Sequence, residues 1–211
     1  MSTTTVIHLL RHGEVHNPEG ILYGRLPDFH LSERGRKMAE LAAEWFSGRD
    51  VAALYSSPLE RAQETAEPVA AEFGLQIQLD ERLVEAANHF QGRPFTSRSI
   101  ADPRTWSRLY NPFQPSWGEP YRAIVRRMSE VIRHVRKVAW GREAVCVSHQ
   151  LPIWIIRRAA ERQRLWHRPD RRQCNLASVT SLIFRDEQLV EISYAEPAAS
   201  LYPGSSPVPG A

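Results

Sequence analysis

Residues 4–10, Thr-Thr-Val-Ile-His-Leu-Leu, form a β-branched and apolar run that predicts a mostly buried strand. It stops at Arg11-His12-Gly13. Over residues 31–46 the period changes, and Met38, Leu41, Ala42, Trp45 and Phe46 fall at helical spacing. Ser32 is placed to cap that helix and Gly48 to stop it. Residues 51–55 predict a second strand ending at Ser56-Ser57-Pro58, and residues 59–73 a helix closed by Gly74. A short strand is expected at 75–79. Residues 119–138 read as a long amphipathic helix on Ile124, Val125, Met128, Val131, Ile132 and Val135. Residues 143–148 give another buried strand, followed by His149-Gln150. A helix over 153–162 starts behind Pro152, a residue favoured in a first turn. Residues 179–184 and 189–194 predict a closing hairpin.

Strands alternating with helices imply an α/β fold, a largely parallel sheet covered by helices on both faces. In such sheets ligands sit outside the carboxyl ends of the strands. Three predicted strands end in reactive or polar residues: Arg11-His12-Gly13, Ser56-Ser57 with Arg61 just beyond, and Ser148-His149. Residues distant in sequence are thereby expected to meet along one edge. Residues 1–196 are expected to form a single domain. Within it, 88–117 mixes prolines and aromatics without a period and is expected to be a lid-like insertion or packing segment. Residues 197–211, rich in Pro, Ser, Gly and Ala, are expected to be a loose tail.

Composition narrows the function classes. The chain has 211 residues, 42% hydrophobic and 24% charged, as in an ordinary globular protein. No run approaches a membrane span and the N-terminus lacks a signal core, so a cytoplasmic location is expected. The two cysteines, Cys146 and Cys174, form no disulfide framework. Positive charge comes almost wholly from arginine, whose planar fork suits phosphate. There is no dense basic run with interleaved aromatics, so nucleic acid is not the expected partner.

The chemistry follows from residue types at the strand ends. A histidine attacks phosphorus as neutral imidazole, its other nitrogen donating a hydrogen bond that fixes the tautomer. The transferring phosphoryl group is stabilised by fixed positive charge, which Arg11, Arg61 and a protonated His149 would supply. Gly13 would let the backbone approach the phosphate. The leaving alkoxide needs a proton from a carboxylic acid.

Leu10-Arg11-His12-Gly13-Glu14 resembles the RHG signature of the histidine phosphatase superfamily, which includes cofactor-dependent phosphoglycerate mutases. Leu31-Ser32-Glu33-Arg34-Gly35, Ser56-Ser57-Pro58-Leu59-Glu60-Arg61-Ala62-Gln63-Glu64-Thr65-Ala66, Leu83-Val84-Glu85, Gly118-Glu119 and Val147-Ser148-His149 resemble further elements of that family, in its order. The resemblance covers about residues 4–185. It implies a three-layer α/β/α sandwich and a phosphatase acting through His12, with Arg11, Arg61 and His149 holding phosphate. Glu85 would be the general acid, and Asn17 a substrate or phosphate contact. No cofactor or metal is implied, and the partner is a small phosphorylated substrate. Departures are Gln150, where many members have glycine, and Gln91, where an acidic residue is frequent.

Other readings stay open. Glu81 and Glu14 are rival carboxylates to Glu85. His8, His12 and His16 recur every fourth residue, but that spacing aligns metal ligands only on a helix. Arg171-Arg172 reads as a solvated surface pair rather than a second phosphate clamp, and His89 as a solvated loop residue. A mutase returning the phosphoryl group to its substrate is the alternative activity. A catalytically silent module that binds phosphorylated ligands is the alternative of another class.

Overall fold

The computed structural model describes residues 2–88, 91–92 and 118–203. Among them, six strands form one sheet in the order β3-β2-β4-β1-β5-β6. Strands β1 (Thr4–Arg11), β2 (Val51–Ser56), β3 (Ile77–Leu79) and β4 (Glu143–Ser148) run parallel. The hairpin β5 (Val179–Arg185) and β6 (Gln188–Ala195) pairs antiparallel with β1. The sheet is therefore mixed, with its parallel part as expected.

Helices α1 (Glu33–Phe46) and α2 (Glu60–Phe73) cover one face, and α3 (Tyr121–Val138) and α4 (Gln150–Ala160) the other. The strands' period of two sorts the core. Ile7, Leu9, Ala144 and Cys146 pack with Ile124, Met128 and Val131 of α3 and Ile153 of α4. Leu10, Val145 and Val147 pack with Ala42 and Phe46 of α1 and Ala62, Ala66 and Val69 of α2. Each fully buried large aliphatic side chain contributes about 1.5–3 kcal/mol, which holds three layers together. No described helix is long and apolar enough to cross a membrane.

Two boundaries differ from the sequence reading. α4 begins at Gln150 rather than 153, because His149 takes the N-cap and Pro152 lies inside the first turn, where its missing N–H has no intrahelical acceptor to lose. The tail expected to be loose from 197 is seated as far as 203. Ala198 is fully buried and clusters with Met38 and Ala177, and the Tyr202 hydroxyl donates to the Leu176 carbonyl at 3.0 Å. Most of the segment expected as a lid, 89–90 and 93–117 with His89 in it, lies outside the described residues. Its two ends meet: Asn88 and Gly118 form an antiparallel bridge, and Glu119 N–H donates to the Ala87 carbonyl at 3.0 Å.

Because β1 lies beside β4 and β4 beside β2, the three strand ends form one edge, with Arg11 opposite Ser148 and Ser56 opposite Val147.

Candidate active site

His12 follows directly on β1 and is held from both sides. Its N–H donates to the Ser148 carbonyl at 3.1 Å, and its carbonyl accepts from Ala177 N–H at 3.3 Å. The ring is fully buried, with Nδ1 2.8 Å from the Gly13 carbonyl oxygen. A carbonyl only accepts, so Nδ1 carries the proton and Nε2 keeps its lone pair. Nε2 has no hydrogen-bond partner among the described residues. Burial first, then the charges of Arg61 and Arg11, hold the His12 pKa well below 6.5 against the weaker pull of the Gly13 bond. The ring is therefore neutral at neutral pH.

Gly13 is fixed by two helices. Its N–H donates to Thr65 Oγ1 of α2 at 3.1 Å. A Cβ at position 13 would lie 2.5 Å from the Gly35 carbonyl oxygen in α1, and a Cβ at Gly35 would lie 2.0 Å from the Glu14 oxygen. The glycine expected to admit a phosphate is thus required by backbone packing against α1.

Arg61 sits in the first turn of α2, fully buried. Its Nη2 donates to the Gly24 carbonyl at 2.6 Å, and its guanidinium lies 4.7 Å from the Tyr23 ring centre. Nε and Nη1 have no partner among the described residues. Arg11, also buried, donates from Nη1 to the Cys174 carbonyl at 2.7 Å.

His149 caps α4, its Nε2 2.8 Å from Ser57 Oγ and its ring centre 5.1 Å from that of His12. Its Nδ1 has no partner among the described residues. Burial, then Arg61 and His12, depress its pKa well below 6.5. The protonated His149 of the sequence reading is thus corrected for the ligand-free protein: a dry pocket shared with arginines disfavours another cation.

Glu85 is 4% exposed, and its Oε1 accepts from Ala86 N–H at 2.7 Å while Oε2 has no partner among the described residues. Burial pushes its pKa up, against the Ala86 N–H, Arg61 and Arg11. The rival Glu14 accepts from Ser32 Oγ at 2.6 Å and lies 3.5 Å from Arg34, at the start of α1; Glu81 is exposed. Asn17 closes its own loop, donating to the Ile21 carbonyl at 2.8 Å and accepting from Ile21 N–H at 3.0 Å. His8 is bound to Ser181 and Glu143 inside the core, while His16 is exposed. Among the described residues, no group of three or more His, Cys, Asp or Glu side chains is placed to hold a metal ion.

Several members of the site were not singled out from sequence. Thr65 stands four residues after Arg61, one helical turn on, a spacing that signals a shared face. Ser57 was given no role beyond a polar strand end and a place in the family-like element that also holds Arg61 and Thr65. Tyr23 and Gly24 lie in a stretch without period, which carries no signal. Arg172, read as solvated, is half-buried, and only Arg171 is exposed.

A model of the histidine phosphatase superfamily (branch 1) matches residues 7–196. An uncharacterised Mycobacterium tuberculosis protein, Rv0525, is 52% identical over 201 residues, 94% of this chain and 100% of that protein. Phosphoserine phosphatase 1 of Hydrogenobacter thermophilus is 31% identical over 150 residues, 69% of this chain and 71% of that protein. The mycobacterial glucosyl-3-phosphoglycerate phosphatase Rv2419c superposes with a TM-score of 0.73 at 27% identity, covering 92% of this chain and 98% of that one. A further structure of that phosphatase contains inorganic phosphate.

Proposed function

This chain belongs to the histidine phosphatase superfamily, and we propose that it is a metal-independent phosphomonoesterase that forms a phosphohistidine on His12. One observation carries the reading. The buried polar atoms without a hydrogen-bond partner among the described residues include His12 Nε2, Arg61 Nε and Nη1, Glu85 Oε2 and His149 Nδ1. Buried polar groups are ordinarily satisfied, and a phosphate ester supplies what this set lacks: an electrophile, anionic acceptors and a leaving oxygen in need of a proton. Relatives that act on phosphoserine and on glucosyl-3-phosphoglycerate support a small phosphorylated substrate.

In the first step His12 Nε2 attacks phosphorus and the ester P–O bond breaks. The positive charge left on the ring is stabilised by the Gly13 carbonyl at Nδ1. Arg11 and Arg61 hold the phosphoryl oxygens, replacing the charge a metal supplies elsewhere. The incoming dianion favours protonation of His149, whose Nδ1–H then donates to an equatorial oxygen while Nε2–H donates to Ser57. Glu85 gives its proton to the departing alkoxide. In the second step the Glu85 carboxylate takes a proton from water, whose oxygen attacks phosphorus, and the P–N bond breaks to release phosphate and neutral His12.

Quenching in denaturing alkali during turnover tests this. An acid-labile, base-stable phosphohistidine should accumulate on the wild type and be absent from His12→Ala, with inorganic phosphate released in chelator and without a bisphosphorylated primer. Label on serine, aspartate or cysteine refutes the mechanism. A strict need for primer would favour a mutase, and loss in chelator restored by a divalent ion would end the metal-independent reading.

A further inference from the structure

The segment between α4 and β5 carries one arginine that points inward. Arg172 Nε donates to His167 Nε2 at 2.8 Å, and Nη1 donates to Gln150 Oε1 at 3.1 Å. His167 is an acceptor because its Nδ1 donates to the Leu165 carbonyl at 2.8 Å, and burial lowers its pKa to about 4. Gln150 in turn donates to the Cys174 carbonyl at 3.3 Å, the oxygen that also accepts from Arg11 Nη1. Arg172 is therefore fixed beside the phosphate pocket, where the charges of Glu85 and Arg11 act on it.

Its partners are both neutral. Outside the phosphate pocket, arginines withdrawn from solvent are matched by carboxylates: Arg127 by Glu119, Arg136 by Glu187 and Arg157 by Glu161. Among the described residues no carboxylate pairs with Arg172, and its Nη2 makes no hydrogen bond. A guanidinium withdrawn from water and held only by neutral acceptors retains a full charge and unused donors for an anion.

We propose that Arg172 is a specificity residue that binds a second anionic group of the substrate, a carboxylate or a second phosphate, next to the phosphoryl group held by Arg11 and Arg61. The proposal rests on the phosphatase reading above. It also gives Gln150 a purpose. Glycine, common at this position in the family, has no side chain to reach Arg172, so Gln150 is a positioning residue for this subsite.

The test compares kcat/KM on O-phosphoserine, glycerol bisphosphate and p-nitrophenyl phosphate for the wild type, Arg172→Gln, Arg172→Lys and Gln150→Gly. The wild type should prefer one doubly anionic substrate by about 10–100-fold, the usual worth of a charged hydrogen-bonded contact. Which of the two it prefers identifies the second group. Arg172→Gln should bring that ratio near one, chiefly through KM, with an unchanged melting temperature. Arg172→Lys should recover part of the preference, and Gln150→Gly should lose part of it. A wild type without preference, or an Arg172→Gln loss equal on all three esters, overturns the subsite. Failure of the wild type to hydrolyse any of them overturns the phosphatase reading itself.

Discussion

Gly13→Ala should damage stability and turnover together, because position 13 is crowded by backbone. The new Cβ would start 2.5 Å from the Gly35 carbonyl oxygen, against the roughly 3.3 Å at which carbon and carbonyl oxygen normally meet. The loop or the first turn of α1 must therefore give by about 0.8 Å. Neither side is loose. Gly13 N–H is bound to Thr65 Oγ1, Ser32 N–H to the Glu14 carbonyl at 2.9 Å, and Gly35 N–H to Ser32 Oγ at 2.9 Å. Overpacking of this kind costs about 1–3 kcal/mol, a melting decrease of roughly 3–9 °C for a chain of this size. The displaced peptide carries the carbonyl that fixes the His12 tautomer, and misplacement near 1 Å can cost about 10²-fold in rate. Calorimetry and steady-state kinetics on the same preparation decide the matter. An unchanged melting temperature with only KM raised would mean that the glycine admits the ligand after all. No change in either quantity would mean that the close approach is not real.

Two further outcomes follow from the electrostatics. The active form needs neutral His12, so kcat/KM should fall as pH drops through a pKa below 6.5; it also needs protonated Glu85, so kcat/KM should fall as pH rises through a pKa above 4.5. After division by the substrate's own ionisation near about 6, an acid limb at 6.5 or above would contradict the neutral imidazole. Glu85→Gln should remove the alkaline limb and slow phosphorylation by alkyl phosphates by about 10²–10⁴-fold, with far less loss on p-nitrophenyl phosphate. Equal loss on both substrates would leave Glu85 a structural role only.

The elements whose residues repeat with a clear period were legible. β1, α1, α2, α3 and β4 fall within a residue or two of the sequence reading, because burial on a fixed face leaves a pattern in the chain itself. The strand-end argument likewise places His12, Arg61 and His149 at one edge, since parallel strands carry their carboxyl ends on the same side of the sheet. What the pattern could not carry was the environment each residue meets. The reason for Gly13 depends on where α1 docks, and the inward turn of Arg172 depends on Gln150, 22 residues away.

The charge of His149 has the same origin and reaches further into function. Its sequence position is compatible with a permanent cation, yet burial beside Arg61 and His12 holds its pKa well below 6.5. A site whose positive charge were complete beforehand would bear the full cost of crowding cations in a dry pocket. In the proposed mechanism arginine, which cannot readily lose its proton, supplies the standing charge, and histidine adds its own only when a dianion offsets it. Proton uptake should therefore accompany binding of a dianionic ligand. Calorimetric titration of inorganic phosphate above pH 7 in two buffers of different ionisation enthalpy would detect it, and His149→Gln should reduce the uptake. Equal observed enthalpies in both buffers, once the ionisation of phosphate itself is accounted for, would mean that His149 stays neutral throughout and acts as a dipolar donor alone.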